Sequence, residues 1–378
     1  MVDIKDKSAC CGCAACVQVC PKQCIGFNED LEGFRYPTVD ENLCIRCGLC
    51  EKVCPIICDK EPQIPIKVYA AKNKDYLVRQ HSSSGGIFTL IANKIVSNGG
   101  VVFGATFDED WEVEHRYADD LHGIAPFRGS KYLQSRIEDN YKKVEEFLHQ
   151  GRQVLFSGTP CQIAGLKSFL RKAYDKLFTV DVICHGVPSP LVWRKYIKEI
   201  AESTEITDVN FRSKYESWKK YNVIIRGNDK TIVNQPFYEN VFMKGFLSDI
   251  YLRPSCHECS FKKGCSGSDI TLGDFWGVEN YLPKFDDDKG VSAIIVNTDR
   301  GVDLIESLNI DKQVILYDNV LKGNPSLEES AKVPLKFRNM FWRQPFSVGA
   351  IIKVLNKMKP GFLRKCIVKV ANFIKTSR

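Results

Sequence analysis

The sequence predicts a mixed α+β and α/β protein in three parts: a small cysteine-rich module at residues 1–62, an α/β domain at residues 63–331 and a basic helical tail at residues 332–378. Three observations predict this organisation. A cysteine spacing repeats within the first part, short β-rich runs then alternate with helical patterns, and acidic residues are missing after Ala331.

The composition is that of a soluble globular protein. Hydrophobic residues make up 44% of the 378 residues and charged residues 26%. No run reaches the about 18 apolar residues of a spanning helix, and the N-terminus lacks the apolar core of a secretory signal. Seventeen cysteines without an export signal predict a reducing cytoplasm and metal-bound thiols rather than disulfides.

The cysteine-rich module contains an internal duplication, which is the strongest signal in the chain. The spacing Cys-x2-Cys-x2-Cys-x3-Cys-Pro occurs at residues 10–21 and again at residues 44–55, and bacterial ferredoxins use this run to hold [4Fe-4S] clusters. Three closely spaced thiolates bind one cluster and the fourth binds the other. The first predicted cluster is therefore held by Cys10, Cys13, Cys16 and Cys54, and the second by Cys44, Cys47, Cys50 and Cys20.

Other features of this module fit a dicluster ferredoxin. Pro21 and Pro55 take the fourth ligand of each run out of helical geometry, and the alternating residues 25–43 predict short strands over the clusters. Zinc is the alternative, but a tetrahedral zinc site needs only two separated cysteine pairs. Three further thiols exceed the eight ligands and are expected to be packing residues: Cys11, Cys24 and Cys58.

The second part begins after a proline-containing linker and has the alternating pattern of an α/β domain. Strands are predicted at residues 101–107, 153–158, 178–183 and 292–298, and helices at residues 166–172 and 192–202. A hairpin turn is predicted at Gly227-Asn228-Asp229 between two β-prone runs.

A serine and glycine run at residues 82–86 precedes an amphipathic helix. The free N–H groups at such a helix start suit the phosphate of a flavin or nucleotide. The alternative is an ordinary helix cap, because this short motif is weak on its own. The run is neither a P-loop nor a GxGxxG nucleotide fingerprint.

Two cysteines, Cys161 and Cys184, each follow a predicted strand. Binding sites in parallel sheets gather beyond the carboxyl ends of the strands, so both thiols could face one pocket. The alternative is that they are buried and inert. A Cys/His hydrolase that uses His185 is a third and less favoured interpretation.

A hairpin that follows carries three more cysteines, Cys256, Cys259 and Cys265. This spacing is typical of a metal site that needs one or two additional thiols, and Cys161 and Cys184 can supply them. Four of these five thiols would hold a third cluster, with zinc as the alternative.

The net positive charge of the chain comes from the tail alone. Residues 332–378 contain twelve Lys or Arg and no Asp or Glu, whereas the first 331 residues have 41 basic against 46 acidic residues. A nucleic-acid role is therefore not expected. Two amphipathic helical patterns flank Pro360-Gly361, and they could lie on an anionic membrane, on an acidic partner or on the protein's own core.

The order of these motifs resembles the coenzyme F420 hydrogenase/dehydrogenase beta-subunit family, in its version with an N-terminal two-cluster ferredoxin domain. The resemblance spans about residues 10–277. It rests on the paired cluster runs, SSSGG at 82–86, GSKYLQS at 129–135, SGTPCQIAGL at 157–166, CHGVPSP at 184–190, CHEC at 256–259 and DITLGDFWG at 269–277.

The resemblance implies an α/β domain that binds FAD beside a cluster. By resemblance the third cluster is held by Cys161, Cys184, Cys256 and Cys259, with Cys265 in reserve. The implied FAD contacts are Ser83, Ser84, Gly85, Gly86, Gly158 and Thr159, with Lys131 as a contact of the flavin or the substrate.

The resemblance also implies an iron–sulfur flavoprotein oxidoreductase, which couples hydride transfer at FAD to single-electron transfer through clusters. Expected partners are ferredoxin or another redox protein and a small hydride donor or acceptor such as coenzyme F420. The alternative is a non-catalytic electron-transfer subunit that relays electrons to a partner enzyme. Relatives also occur among genes for surface polysaccharides, so such a partner could belong to polysaccharide biosynthesis. We expect a cytoplasmic protein, with the inner membrane surface as the other location that the basic tail allows.

Overall fold

The N-terminal module consists of two short helices and a hairpin in the computed structural model, which describes residues 2–57 and 61–358. In chain order these elements are α1 (Ala15–Val19), β1 (Ile25–Glu29), β2 (Arg35–Val39) and α2 (Leu49–Lys52). The strands β1 and β2 pair antiparallel with Ile25 opposite Val39, so the predicted strands are confirmed. Cys58 lies outside the described residues.

The duplication in the sequence is repeated in the backbone. Ala14 precedes α1 with φ 67° and Gly48 precedes α2 with φ 75°, so both helices begin after a left-handed residue at the same place in the repeat. Such a conformation is unusual for alanine. The backbone before the helix is therefore built the same way in both halves.

The rest of the described chain is an alternation of strands and helices. In chain order they are β3 (Lys67–Asn73), α3 (Tyr76–Gln80), α4 (Ile87–Ser97), β4 (Val101–Phe107), β5 (Val113–Ala118), α5 (Asn140–His149), β6 (Val154–Gly158), α6 (Pro160–Leu170), β7 (Leu177–Val182), α7 (Pro190–Ala201), β8 (Ile206–Ser213), β9 (Asn222–Gly227), β10 (Thr231–Pro236), α8 (Val241–Leu247), β11 (Ile270–Asp274), β12 (Ser292–Val296), α9 (Asp299–Glu306), β13 (Ile310–Val314), α10 (Tyr317–Gly323), α11 (Leu335–Trp342) and α12 (Val348–Lys357).

An eight-stranded sheet with the order β13-β3-β12-β11-β7-β6-β4-β5 is the centre of the fold. The neighbours β4, β6, β7 and β11 run parallel, and the strands on either side of them pair antiparallel. Residues Val154, Leu155 and Phe156 of β6 are fully buried, as expected for a strand covered on both faces. The predicted strands are confirmed as β4, β6, β7 and β12.

The helix after β6 begins earlier than predicted. The sequence predicts a helix at residues 166–172, but α6 starts at Pro160 and ends at Leu170. Proline suits the first helical position, and Thr159 with Gln162 forms a reciprocal capping box there. These local signals, rather than the apolar pattern further on, fix the start of the helix.

A second sheet has the order β10-β9-β8, and the predicted hairpin is confirmed because β9 ends at Gly227 and β10 begins at Thr231. A hydrophobic cluster joins this sheet to α7, α8 and the beginning of the tail.

Helix α12, which contains the first of the two predicted tail patterns, packs on the protein's own core beside α8. The sequence predicts an apolar face of Val348, Ile351, Ile352 and Leu355. This prediction is wrong at one position, because Ile352 is 42% exposed while Val354 is fully buried. The true face follows the 3.6-residue period of the helix through Ile351, Val354 and Leu355. The second tail pattern, after Pro360-Gly361, lies outside the described residues. Among the helices of the described chain, none has the length and apolar character needed to span a bilayer.

Candidate functional site

The main candidate site is a cavity beyond the carboxyl ends of β6 and β7, with Thr271 of β11 also in its lining. Five cysteines among the described residues line it, and four of them come from the chain after residue 63: Cys161, Cys184, Cys256 and Cys259. Cys161 lies in the first turn of α6, Cys184 follows β7, and the other two belong to a 3-10 turn at Pro254–Glu258 and the residue after it. Because β6 and β7 are parallel neighbours, the segments that follow them reach the same edge of the sheet.

Backbone and side-chain donors point at these thiols. The N–H of Val187 donates to Cys256 Sγ at 3.4 Å, and Thr159 Oγ1 lies 3.2 Å from Cys161 Sγ. Lys262 Nζ donates to the carbonyl of Cys184 at 2.7 Å, so a positive charge lies beside the same loop. Hydrogen bonds and positive charge favour the thiolate form that iron requires.

Without a bound metal, the Cys184 thiol is protonated at neutral pH. Burial raises the pKa of Cys184 to about 12, with the charge of Lys262 acting in the opposite direction. Metal binding to such thiols releases protons and is therefore coupled to pH. The donor set of four thiols with N–H donors and nearby cations fits an iron–sulfur cluster.

Cys265 lies outside the lining of this cavity, although its neighbour Gly264 belongs to it. A different fifth thiol is present instead. Cys11 of the N-terminal module lines the cavity, and its thiol interacts with the thiols of Cys161 and Cys13. The sequence reasoning treats Cys11 as a packing thiol and gives no sign of this long-range contact.

The sequence analysis did not identify two further residues of the cavity. Arg253 is 1% exposed and lines the cavity together with Gln134, whose side chain it contacts at 3.0 Å. Arg253 lies three residues before Cys256 in the same hairpin, but its partners are more than a hundred residues away. Only its nearness to the hairpin cysteines could have drawn attention to it.

The second N-terminal group of cysteines also lines one cleft. Cys20 of the first run meets Cys44, Cys47 and Cys50 of the second run, which is the exchange of fourth ligands that the repeat predicts. Cys24 joins them, with its Sγ 3.3 Å from Cys20 Sγ. Cys47 is exposed, so this group lies at the surface.

The first N-terminal group lies deeper, between the second group and the cavity. Burial raises the pKa of Cys16 to about 12, and the neighbouring Cys10 and Cys54 add to the rise. Cys13 packs against α6 at Gly165, where an added Cβ would lie 2.7 Å from Cys13 Cβ and 3.0 Å from its Sγ. The thiol groups thus follow one another from the surface to the cavity.

Within residues 2–57 and 61–358, no three Cys, His, Asp or Glu side chains are arranged to hold a single metal ion.

The predicted flavin contacts fall into two places. The SSSGG run lies against the start of β12, where Ser84 Oγ donates to the carbonyl of Val291 at 3.0 Å and the N–H of Gly85 donates to Ser292 Oγ at 2.9 Å. Ser83 Oγ accepts from the N–H of Ser130 at 2.7 Å, which joins this run to the GSKYLQS segment. Thr159 instead lines the cysteine cavity, and Gly158 ends β6 just before it.

The fit of these residues to a flavin phosphate is partial. Gly86 caps α4 with φ 81° and supplies no side-chain acceptor for the N–H groups at this helix start. Lys131 Nζ, however, is already bonded to its own loop through the carbonyls of Pro126 and Arg128, at 2.7 and 3.1 Å. The backbone of α4 is the better candidate for binding an anion.

Comparison with known families agrees with the motifs. Residues 151–320 match the family that represents the C terminus of the coenzyme F420 hydrogenase/dehydrogenase beta subunit, and residues 9–58 match the 4Fe-4S dicluster domain. The resemblance to this beta-subunit family is confirmed. The chain therefore joins an iron–sulfur electron-transfer module to an oxidoreductase-type beta-subunit domain.

Among solved structures, the chain is similar to one from the F420-reducing [NiFe] hydrogenase complex of Methanosarcina barkeri, studied by xenon derivatization. The identity is 16%, the TM-score is 0.47, and the alignment covers 84% of this chain and 96% of that chain. No curated protein matches the sequence.

Proposed function

We propose that this protein is an iron–sulfur flavoprotein oxidoreductase, which couples two-electron hydride transfer at FAD to one-electron transfer through three [4Fe-4S] clusters. The observation that carries the proposal is the cavity lined by Cys161, Cys184, Cys256 and Cys259. It adjoins the dicluster module through the contact between Cys11 and Cys161. A cluster held there would lie next to the two N-terminal clusters.

A bound flavin would supply the conversion between paired and single electrons. The residues of this chain would hold and separate the participants. The uncapped start of α4 binds the phosphates, and the SSSGG run fixes that helix against β12. The four cavity thiols, as thiolates, hold the third cluster, and the Val187 N–H stabilises the negative charge on Cys256.

Asp181 is a candidate for holding a proton beside this chemistry. It lines the cavity, it is 2% exposed, and its Oδ1 has no hydrogen-bond partner among the described residues. Burial raises the pKa of Asp181 to about 6, so its carboxyl exchanges protons close to neutral pH. Transfer of a hydride to single-electron carriers releases a proton, and a group of this kind can accept it.

The second candidate function is a non-catalytic electron-transfer subunit that has a substrate-bearing enzyme or ferredoxin as its partner. The exposure of Cys47 favours it, because a cluster at the surface can exchange electrons directly with another protein. Nearby Leu43 and Ile45 are 56% and 58% exposed and offer apolar contact to such a partner. Either function places coenzyme F420 or a reduced ferredoxin as the redox partner.

Anaerobic purification followed by metal and flavin analysis tests the proposal. Three clusters correspond to about twelve irons per chain, and we expect these together with bound FAD. Eight irons without flavin would leave only the relay function, and stoichiometric zinc in the cavity would contradict a third cluster. When flavin is bound, its anaerobic bleaching by reduced F420 or by reduced ferredoxin identifies the donor.

A further inference from the structure

A buried arginine lies between the first N-terminal thiol group and the cysteine cavity. Arg253 is 1% exposed and is among the largest fully buried side chains. Its Nε donates to the carbonyl of Cys10 at 2.8 Å, and its Nη2 donates to the carbonyl of Arg35 at 3.0 Å and lies 3.7 Å from Cys10 Sγ. The same side chain lines the cavity that holds Cys161 and Cys256.

This guanidinium is buried without a carboxylate. Its contacts in the described part of the chain are carbonyl groups, the amide of Gln134, the thiol of Cys10 and the rings of Phe34 and Tyr36. The other arginines with comparably buried side chains have an acidic partner: Arg212 pairs with Asp274, Arg79 with Asp287 and Arg338 with Glu32. Burying an unpaired charge is costly, so Arg253 needs a negative charge from another source.

Gly12 and Gln134 pack closely around the Arg253 guanidinium. Gly12 has φ 71°, and a Cβ there would lie 2.8 Å from Gln134 Nε2 and 3.0 Å from the central carbon of the Arg253 guanidinium. Gln134 in turn donates to the carbonyl of Cys11 at 3.2 Å and accepts from Arg253 at 3.0 Å. The cysteine loop, the glutamine and the arginine therefore form one fixed contact between the N-terminal module and the cavity.

We propose that Arg253 is the shared counter-ion of two clusters, the one held by Cys10, Cys13, Cys16 and Cys54 and the one held in the cavity. A four-thiolate cluster is an anion, and its reduction adds a further negative charge. A fixed cation beside it stabilises the reduced form and raises the reduction potential. Because the cation is fixed, it adds a stabilising interaction to each of the two clusters, and its removal lowers both potentials. This inference rests on the proposed function, because it needs the third cluster.

The test is a redox titration of the anaerobic holoprotein, followed by electron paramagnetic resonance. Arg253→Met removes the charge with little change of volume. We expect the reduction potentials of the Cys10 cluster and the cavity cluster to become more negative, while the potential of the cluster at exposed Cys47 stays unchanged. Arg253→Lys retains the charge and should restore most of the wild-type potentials. Arg226→Met is the matched control, since Arg226 is an exposed arginine paired with Asp208. This variant should leave all three reduction potentials unchanged. The signals of the cavity centre are identified by their loss in Cys256→Ser.

Three results would overturn the inference: unchanged potentials in Arg253→Met with full iron content, an equal shift of all three centres, or a shift of one centre alone. A wild-type count of eight irons would instead contradict the proposed function. Should Arg253→Met lose its clusters, Arg253→Gln takes its place, because it removes the charge and keeps a donor that can reach the carbonyl of Cys10. The same two potentials should become more negative in this variant, and unchanged potentials would refute the inference.

Discussion

Cysteines that are close in sequence lie in different surroundings in the fold. Cys256 accepts the N–H of Val187 and lines the cavity, whereas Cys265 lies outside the lining only nine residues later. The sequence supplied five candidate thiols for four positions and could not choose among them, because the choice depends on which strand ends meet. The resemblance selects Cys161, Cys184, Cys256 and Cys259, and the cavity is lined by these four together with Cys11.

Replacing single cysteines tests this choice. Cys256→Ser should lose about four of the twelve irons and keep both N-terminal clusters, because the remaining ligands belong to separate groups. Cys265→Ser is the matched control and should keep every iron. The measurement is iron content together with the resonance signals of the reduced protein. Full iron in Cys256→Ser, or a loss in Cys265→Ser, would show that the ligands are assigned wrongly.

His115 is a buried residue whose protonation affects stability. It is 3% exposed, its Nε2 donates to the carbonyl of Ser157 at 2.8 Å and its Nδ1 accepts from Ser135 Oγ at 2.6 Å. Burial lowers its pKa to about 4 from an ordinary 6.5, and the charge of Lys131 adds to the effect. The unfolded chain therefore binds a proton at higher pH than the folded protein does.

The stability from His115 is present in full above pH 6.5 and is lost as the pH falls toward 4. By about pH 5 the loss is about 2 kcal/mol. In His115→Gln this component is missing, so the difference in thermal midpoint from wild type should narrow between about pH 8 and pH 5. The exposed His149→Gln serves as control. Parallel midpoint curves for wild type and His115→Gln would contradict the expectation.

At the scale of elements, the hairpin of β1 and β2 attaches the N-terminal module to α7. Gly33 has φ 82°, and a Cβ there would lie 2.6 Å from the backbone N of Leu191. Ser189, the cap of α7, donates its hydroxyl to the carbonyl of Glu32 in the same turn. The turn and the helix start thus touch backbone to backbone, which leaves no space for a side chain.

Gly33→Ala should destabilise the protein by about 2–4 kcal/mol, since it adds backbone strain to a clash with a rigid neighbour. Gly26→Ala is the matched control from the same hairpin, because nothing lies within 4 Å of its added Cβ. Thermal unfolding of the anaerobic holoprotein measures both. Equal midpoints for the two variants would show that the turn does not depend on this contact.

Elements with strong local patterns were predictable, and those defined by distant neighbours were not. The apolar runs of β4, β6, β7 and β12 identify them as strands, and the repeat of the cysteine spacing identifies the first module. The short strand β11 is recognisable only from its position between β7 and β12. The strand β3 likewise depends on antiparallel partners more than two hundred residues later.

At the scale of the whole molecule, the sequence indicates what the three parts are but not how they meet. The motifs predict two N-terminal thiol groups and a third site, and the fold places them in succession from exposed Cys47 to the cavity. The contacts that join them depend on Cys11 and Arg253, neither of which stands out in a local pattern. The basic tail shows the same limit, since periodicity could not decide that α12 packs on the core.

The presence of Cys11 and Ile56 in the lining of the cavity has a practical consequence. Part of the cavity wall comes from the N-terminal segment, so a fragment that begins near residue 63 would leave the cavity open to water. Replacing the segment with that of another ferredoxin would remove the same contacts. The two segments therefore have to be expressed together for the cavity to stay closed.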